Sequence, residues 1–481
     1  MLLMKTHPKF TAKKAIGACL FVLLFPLSVF AANSYYVTQS GSGLANGALG
    51  NPWSIAAYNA SSQPTGGDTV YFSGNITSTV TPATSGTGNG TLRLVLDFTS
   101  ATLNTANPYI KLANKAYLSL LGGTLGANDL GAYAISFADA STSHDITISG
   151  FTQANSSTST GAFLHLPWCY NLLVTGNTVT NTANLVWGDS TLSHDLTFEN
   201  NYVTTSVNTS VQTDIIQIGD AYNVTIQGNK FIHNTPGSNL NGRHNDILQC
   251  YKKGGSNSGT PYGWVIRYNW FESNNSVDNG NVSMFMLENM NDVGGVAACK
   301  IYGNIFKGDA GNSATNGVNP NANSGTASFY FYNNTFITST GAPGNAIKFT
   351  APGVLYMRNN VGYDDTAAAS TTYINCTMTV GATWDYNIFY RWLSPSTTYT
   401  GSHGKPNADP LFATGAYSLQ SGSPCAATGD ATVGTEYSQG IAPGSTWPNP
   451  TLTARGTSWD IGAYQTPVGK PANAHITMTP Q

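Results

Sequence analysis

Ten short segments of this chain are variants of one another: YLSLLGGTL, HDITISGFT, NLLVTGNTV, HDLTFENNYV, NVTIQGNKFI, WVIRYNWFES, CKIYGNIFKG, SFYFYNNTFI, VLYMRNNVGY and TWDYNIFYRW. Each alternates apolar and polar residues as a strand does, turns on Asn or Gly, and resumes with apolar residues. Anchored on the turn, they place Gly123, Phe151, Asn177, Asn201, Asn229, Asn269, Asn304, Asn334, Asn360 and Asn387 at spacings of 28, 26, 24, 28, 40, 35, 30, 26 and 27. Spacings of this size suit the coils of a parallel β-solenoid, where each strand pairs with its equivalent about 4.8 Å away. The turn Asn is expected to bond its amide to the next Asn in the stack and to accept left-handed backbone angles. The expected fold is all-β, a single parallel solenoid.

Composition agrees. Charged residues make up 9% of the chain, far below the roughly 25% of ordinary soluble proteins. The surface must therefore be dressed in Asn, Ser, Thr and Gly, as in many extracellular β-proteins. Lys5, Lys9, Lys13 and Lys14 precede the apolar run AIGACLFVLLFPLSVFA, so residues 1–31 read as a secretory signal cleaved after Ala31. Cys19 precedes most of that run, which argues against lipidation. No later segment is apolar over the roughly 18 residues of a membrane span. The four lysines leave with the signal and take the net charge from −3 to −7, which removes the electrostatic case for nucleic-acid binding. A monomer is expected. Of the remaining cysteines, Cys250 and Cys299 alternate with apolar neighbours and read as core, whereas Cys376 and Cys425 are candidates for a disulfide.

The opening SYYVTQSGSGLANGALGNPWSIAAYNA with GGDTVYFSG, the coils, and the closing ADPLFATGAYSLQSGSPCAATGD with SWDIGAYQ resemble secreted right-handed parallel β-helix proteins of the pectate-lyase-like superfamily. The resemblance spans the mature chain. It implies an N-terminal cap with first coils over 32–115, a β-helix over 116–392, and a C-terminal coil and cap over 393–481. It implies a substrate groove along one outward strand face. It does not imply a particular activity, because one fold hosts many. QTDIIQI resembles the Asn-Thr-Asp strand of polygalacturonases, but Gln212 stands where the Asn would be. The Asp-Pro-His of alginate epimerases and the Arg-x-Pro-x-x-Arg of pectate lyases are both missing.

Charge gathers in one place. NGRHNDILQCYKKGG carries Arg243, His244, Asp246, Lys252 and Lys253 inside the longest spacing, from Asn229 to Asn269, and QTDIIQIGD repeats its Asp and Gln 32 residues earlier as Asp214 and Gln217. Strand alternation puts Ser136, His165, Val186, Gln217, Gln249, Met286 and Lys348 on one outward face. Glu288 joins that face, and the segments 234–243 and 252–263 are expected to wall it as loops. The catalytic candidates are His244, Asp246, Lys253 and Asp214; the substrate-binding candidates are Arg243, Gln217, Gln249, His165 and Glu288. Stacked rungs bring Asp214 and Asp246 within about 5 Å at Cα, close enough to separate an acid from a base or to hold a cation such as Ca2+. The metal is otherwise unknown.

A plainer reading stands beside each of these. An Asp at a strand start often bonds backbone amides, and stacked Gln residues often pair only with each other. His165 suits a half-buried polar position, His144 and His194 suit turns, and Tyr251, Trp264 and Trp270 suit packing as well as sugar stacking.

Polysaccharide cleavage leads among the functions. A uronate lyase would use His244 or Lys253 as base, with Arg243, Gln217 and Gln249 on the carboxylate. A glycoside hydrolase would need paired carboxylates, for which Asp214, Asp246 and Glu288 are the clustered candidates. A non-catalytic carbohydrate-binding or adhesin-like solenoid is the alternative.

Overall fold

Consecutive coils pair strand on strand, in parallel, on three faces. The computed structural model describes residues 32–466 except 43–44, 89–91, 105–107, 128–132, 138–141, 189–192, 207–212, 235–244, 252–259, 275–281, 310–315, 322–326, 340–343, 350–352, 366–371, 377–380 and 393–396. Face A is a ten-stranded sheet whose neighbours follow chain order, from Ile110–Leu112 through Ala162–His165, Asn184–Gly188, Ile216–Gly219, Asn245–Tyr251 and Val282–Glu288 to Thr372–Cys376. Face B carries strands such as His194–Glu199 and Tyr222–Gln227, and face C strands such as Lys230–Asn234 and Trp270–Asn274. This is a right-handed parallel β-helix, the hand that strand twist imposes on parallel crossovers.

The inward positions are apolar because each strand shows alternate residues to the interior. Phe231, Phe271, Phe306 and Phe336 occupy equivalent positions in successive coils. Their neighbouring ring centroids lie 5.9, 5.3 and 4.8 Å apart. At the N-terminal end a short helix, Ile55–Asn59, is capped by Ser54, whose Oγ accepts the Ala57 amide. Its Tyr58 meets Phe72 edge-on, and Phe72 in turn stacks on Phe98 at 4.3 Å.

The Asn column forms at the turn between faces B and C. From Asn177 to Asn387, each Nδ2 donates to Oδ1 of the next Asn at 2.9–3.1 Å. The same Oδ1 also accepts that Asn's backbone amide, as in Asn229 to Asn269 at 3.0 Å. One part of the expectation needs correcting. The left-handed residue is not the ladder Asn but the one before it: Asn200, Tyr268, Asn333, Asn359 and Tyr386 at φ 55–58°, with Gly150, Gly176, Gly228 and Gly303 in the other coils. The ladder Asn must aim its amide along the stack, so its neighbour absorbs the turn. Gly303 has a second reason to be glycine, since a Cβ there would lie 2.7 Å from the Tyr268 ring.

The C-terminal segment does more than close an end. Lys405–Pro406 continues the stack on Ile388–Tyr390, but the chain then folds back along the corner between faces B and C. Arg358 pairs with Asp430 at 2.6 Å, Lys300 with Glu436 at 2.8 Å, the Ala463 amide donates to Thr335 Oγ1, and the Asn449 amide reaches Gly228 O at 2.8 Å. Tyr268, Tyr302, Tyr332, Tyr437, Trp459 and Tyr464 form a second buried apolar cluster under it. Faces B and C are thus partly roofed by the chain's own tail. Face A carries no such roof among the described residues.

Candidate functional site

Strand pairing sets one outward column on face A: Ser136, His165, Trp187, Gln217, Gln249 and Met286 are register partners in successive coils. Five of the seven outward positions expected from alternation fall in this column. Lys348 lies on the described backbone, and its side chain is outside the described residues. Val186 is a correction. It pairs with Leu164 and Ile216 and is fully buried, and Trp187 takes its place. Counting back from Asn201 crosses residues 189–192, which lie outside the described residues. A shared carbonyl adds to the difficulty, because Ile215 O accepts the amides of both Leu185 and Val186 at 2.8 and 3.1 Å and both side chains are buried. Two consecutive apolar residues therefore face inward here. The same doubling recurs as Phe163–Leu164, Ile215–Ile216 and Ile247–Leu248.

Aromatic stacking holds the first part of the column. The His165 ring lies 4.1 Å from Tyr133 and 5.2 Å from Trp187, both near parallel, and its Nδ1 is 3.4 Å from Ser136 Oγ. His165 is 7% exposed and buried, deeper than the half-buried position expected for it. The amide part follows. Gln217 Nε2 donates to Gln249 Oε1 at 2.9 Å, and Gln249 Nε2 approaches Met286 Sδ at 3.9 Å. Tyr251 sends its hydroxyl to Gly188 O, two coils away, passing the coil where its own register partner is Gly219. Glu288 is half-buried beside Tyr251 and pairs with Asn321. The column keeps unspent polar capacity at its centre: the Trp187 indole N–H and Gln217 Oε1 have no hydrogen-bond partner among the described residues, and neither residue is sealed from solvent.

The two aspartates sit elsewhere. Asp214 and Asp246 are both fully buried at the corner where face C turns into face A. Asp214 Oδ1 accepts the Asp246 amide at 2.6 Å, Asn184 Nδ2 donates to Asp214 O at 2.6 Å, and Ile215 N donates to Asp246 O at 3.1 Å. The carboxylate of Asp214 thus ties its coil to the next one. Beside it, His233 is fully buried and points inward, with its Nε2 on Thr213 O at 2.8 Å. Among the described residues no three His, Cys, Asp or Glu side chains converge as a metal site.

Burial pulls the His233 imidazole down to about pKa 4, against the Thr213 carbonyl, which favours its proton. The folded protein therefore binds fewer protons than the unfolded chain, where a free imidazole titrates near 6.5. Stability from this group is complete above about pH 6.5 and drains as pH falls toward 4, by about 3 kcal/mol in all. Melting temperatures measured across that range should drop with acid, and His233→Gln should flatten the dependence. An equally steep profile in the variant would remove His233 from the explanation.

Arg243, His244 and Lys253 lie outside the described residues, as do most of the expected walls, 235–244 and 252–259. Their attachment is described: one joins face C to strand Asn245–Tyr251, and the other leaves that strand for face B. The aromatic candidates for a sugar platform are packing. Trp264 is fully buried with its indole N–H on Ala221 O, and Trp270 packs toward Tyr417 and Trp447 under the tail.

His144 and His194 each bind the next Asp at 2.7 Å, and both aspartates take left-handed angles of φ 54°. Sequence reading missed that these histidines interleave with tyrosines. His144, Tyr170, His194, Tyr222 and Tyr262 stack in near-parallel sequence at 4.7–5.1 Å. The common strand register of the HD and NL segments was the signal for it. Because each inner ring has both faces covered by its neighbours, this stack offers edges to a ligand and little open ring surface. The cysteines are also settled for the described side chains: Cys250 and Cys299 are buried, and Cys425 is a buried free thiol, so the expected Cys376–Cys425 disulfide is absent.

No protein-family model matches the chain, and no curated protein sequence matches it. Among solved structures, it is similar to pectate lyase Pel9A (15% identity, 90% of this chain and 96% of that one, TM-score 0.40). It is also similar to the GH136 lacto-N-biosidase from Eubacterium ramulus (12% identity, 75% and 67% coverage, TM-score 0.41). A structure of XylC with xylose gives 9% identity, 79% and 87% coverage and a TM-score of 0.41. At this level the likenesses assign no activity, and the β-helix assignment stands on the strand pairing itself.

Proposed function

We propose that this is a secreted, polysaccharide-active protein whose substrate lies along face A. The observation that carries the reading is the Trp187–Gln217 rung, whose polar capacity is open among the described residues, on the face that the tail does not cover and next to the strand that bears the chain's charge cluster. A polyhydroxylated chain suits such a surface, because it needs many amide and ring contacts and few charges. His244 directly precedes strand Asn245–Tyr251 and Lys253 follows it by two residues, so both enter the proposal as bases, with Arg243 to neutralise a uronate carboxylate. In that reaction the base takes the proton α to the carboxylate, the C–O bond at the β-carbon breaks, and the departing oxygen is protonated. Hydrolysis is the weaker alternative, since it requires two accessible carboxylates and Asp214 is buried and bonded to a backbone amide. That same burial favours, as second reading, a binding protein that uses the face without cleaving.

Incubation of the secreted protein with uronate and neutral polysaccharides separates these readings. Ultraviolet absorbance of an unsaturated uronate reports elimination, reducing ends without it report hydrolysis, and co-sedimentation alone reports binding. His244→Ala should abolish elimination with melting unchanged. Asp214→Ala should instead lower stability by about 1–3 kcal/mol through the orphaned Asp246 amide, while folded molecules stay active. If no polysaccharide is bound or cut, the proposal fails.

A further inference from the structure

Where the tail folds back, it encloses a cavity of about 260 Å³ between the solenoid residues Asn200, Gln227, Gly228, Arg267 and Tyr268 and the tail residues Gln439, Asn449, Pro450 and Leu452. It lies at the corner of faces B and C, away from face A. Its size is just below the range of about 300–1,000 Å³ usual for small-molecule sites, which suits a ligand of about one sugar ring.

The walls are chemically unfinished. Arg267 donates through Nε to Gln227 Oε1 at 2.8 Å and through Nη1 to the Tyr302 hydroxyl at 3.0 Å, and its Nη2 has no hydrogen-bond partner among the described residues. The side-chain amides of Asn200, Gln439 and Asn449 and the hydroxyl of Tyr268 likewise have none among the described residues. Pro450 and Leu452 supply an apolar patch. Gly228 belongs to the shape, because a Cβ there would lie 2.4 Å from Asn200 Oδ1.

The charge is one-sided. Arg267 alone is charged among the lining residues. Glu199 lies two coils from Arg267, with the Gln227 coil between them, and its oxygens accept from Gln227 Nε2 at 2.7 Å and Thr175 Oγ1 at 3.4 Å. Behind the wall a second guanidinium, Arg455, is fully buried and donates to Gln439 O, Asp460 O, Gln465 Oε1, Gly462 O and Ala463 O, all uncharged acceptors. Its charge is partly offset by the buried Asp460 carboxylate nearby, so Arg267 remains the guanidinium that an anion in the cavity would meet.

We infer that this cavity binds a monosaccharide-sized acidic sugar of the uronate class, its carboxylate on Arg267 and its hydroxyls on the Asn200, Asn449, Gln439 and Tyr268 side chains. A guanidinium edge matches a carboxylate, and amides with a phenol match vicinal hydroxyls. The site is distinct from face A and does not rest on the function proposed there.

The test is calorimetric titration of the full chain with glucuronate, galacturonate and neutral galactose. A uronate should bind with a dissociation constant of about 1 mM or tighter, and galactose should bind at least tenfold more weakly, about the effect of losing one charged hydrogen bond. Arg267→Gln should weaken uronate binding by a similar factor. Leu452→Trp, which fills the cavity from the tail side and leaves the coil intact, should block binding with melting unchanged. Trp187→Ala on face A should leave uronate binding as it is. Absence of uronate binding, equal binding of galactose, or insensitivity to Leu452→Trp would each overturn the inference. Loss of binding in Trp187→Ala but not in Leu452→Trp would do so as well, while leaving the face A proposal standing.

Discussion

Asn269→Ala should be among the most damaging single substitutions in this chain. The side chain is fully buried mid-column. Its Nδ2 donates to Asn304 Oδ1 at 3.0 Å and to Ile226 O at 2.8 Å, and its Oδ1 accepts both the amide and the Nδ2 of Asn229 at 3.0 and 2.9 Å. Truncation leaves two donors on Asn229 and one carbonyl without partners, in a site closed to water. Each orphaned group costs about 1–3 kcal/mol, so a loss of about 3–6 kcal/mol is expected, a large part of a typical stability. Asn269→Asp is the sharper variant. It keeps the acceptor but loses the donor and sets a negative charge against Asn304 Oδ1, so it should be no better than Ala despite its shape. Urea unfolding followed by circular dichroism reads both, and a loss under about 1 kcal/mol for either would mean that the column is decorative.

Arg455→Ala should release the tail. The guanidinium makes five hydrogen bonds to the tail's own carbonyls and to Gln465, at 2.8–3.3 Å. Burial lowers its pKa only to about 10, so it remains charged at neutral pH. A buried charge is tolerated only when its donors are all met, and removing it strips five acceptors together. The expected loss is about 3–5 kcal/mol, confined at first to residues 439–465, because the coils beneath keep their own pairing. Hydrogen exchange should speed up in that segment while the amides of faces A and C stay protected. Arg455→Lys should fail nearly as badly, since an ammonium offers three donors from one point rather than five in a planar fork. Unchanged exchange in both variants would show that the aromatic cluster alone holds the tail.

The Asp214–Asp246 pair shows how far spacing can be read. Its repetition at 32 residues correctly put the two in adjacent coils. The spacing carried no information on which way the corner folds, and that fold buries both residues. Gln217 and Gln249 sit on the same two strands a short step on, and alternation alone placed them outward and bonded to each other. The failure at Val186 is of the opposite kind. A one-residue slip exchanges inside for outside, and the consecutive burial of Leu185 and Val186 leaves no mark in the run NLVWG that separates it from plain alternation.

What the sequence determined by itself was everything that repeats: the parallel coils, the Asn column and the alternating core. Each coil makes the same local choices, so the signal is written ten times and errors in one copy are outvoted. Only the tertiary structure decided what occurs once. The tail's path back to Gly228, the cavity it closes, the burial of Asp214 and the place of Trp187 all depend on contacts between residues far apart in the chain. No period marks such contacts, because the free energy that selects them comes from shape and from hydrogen bonds completed across the fold.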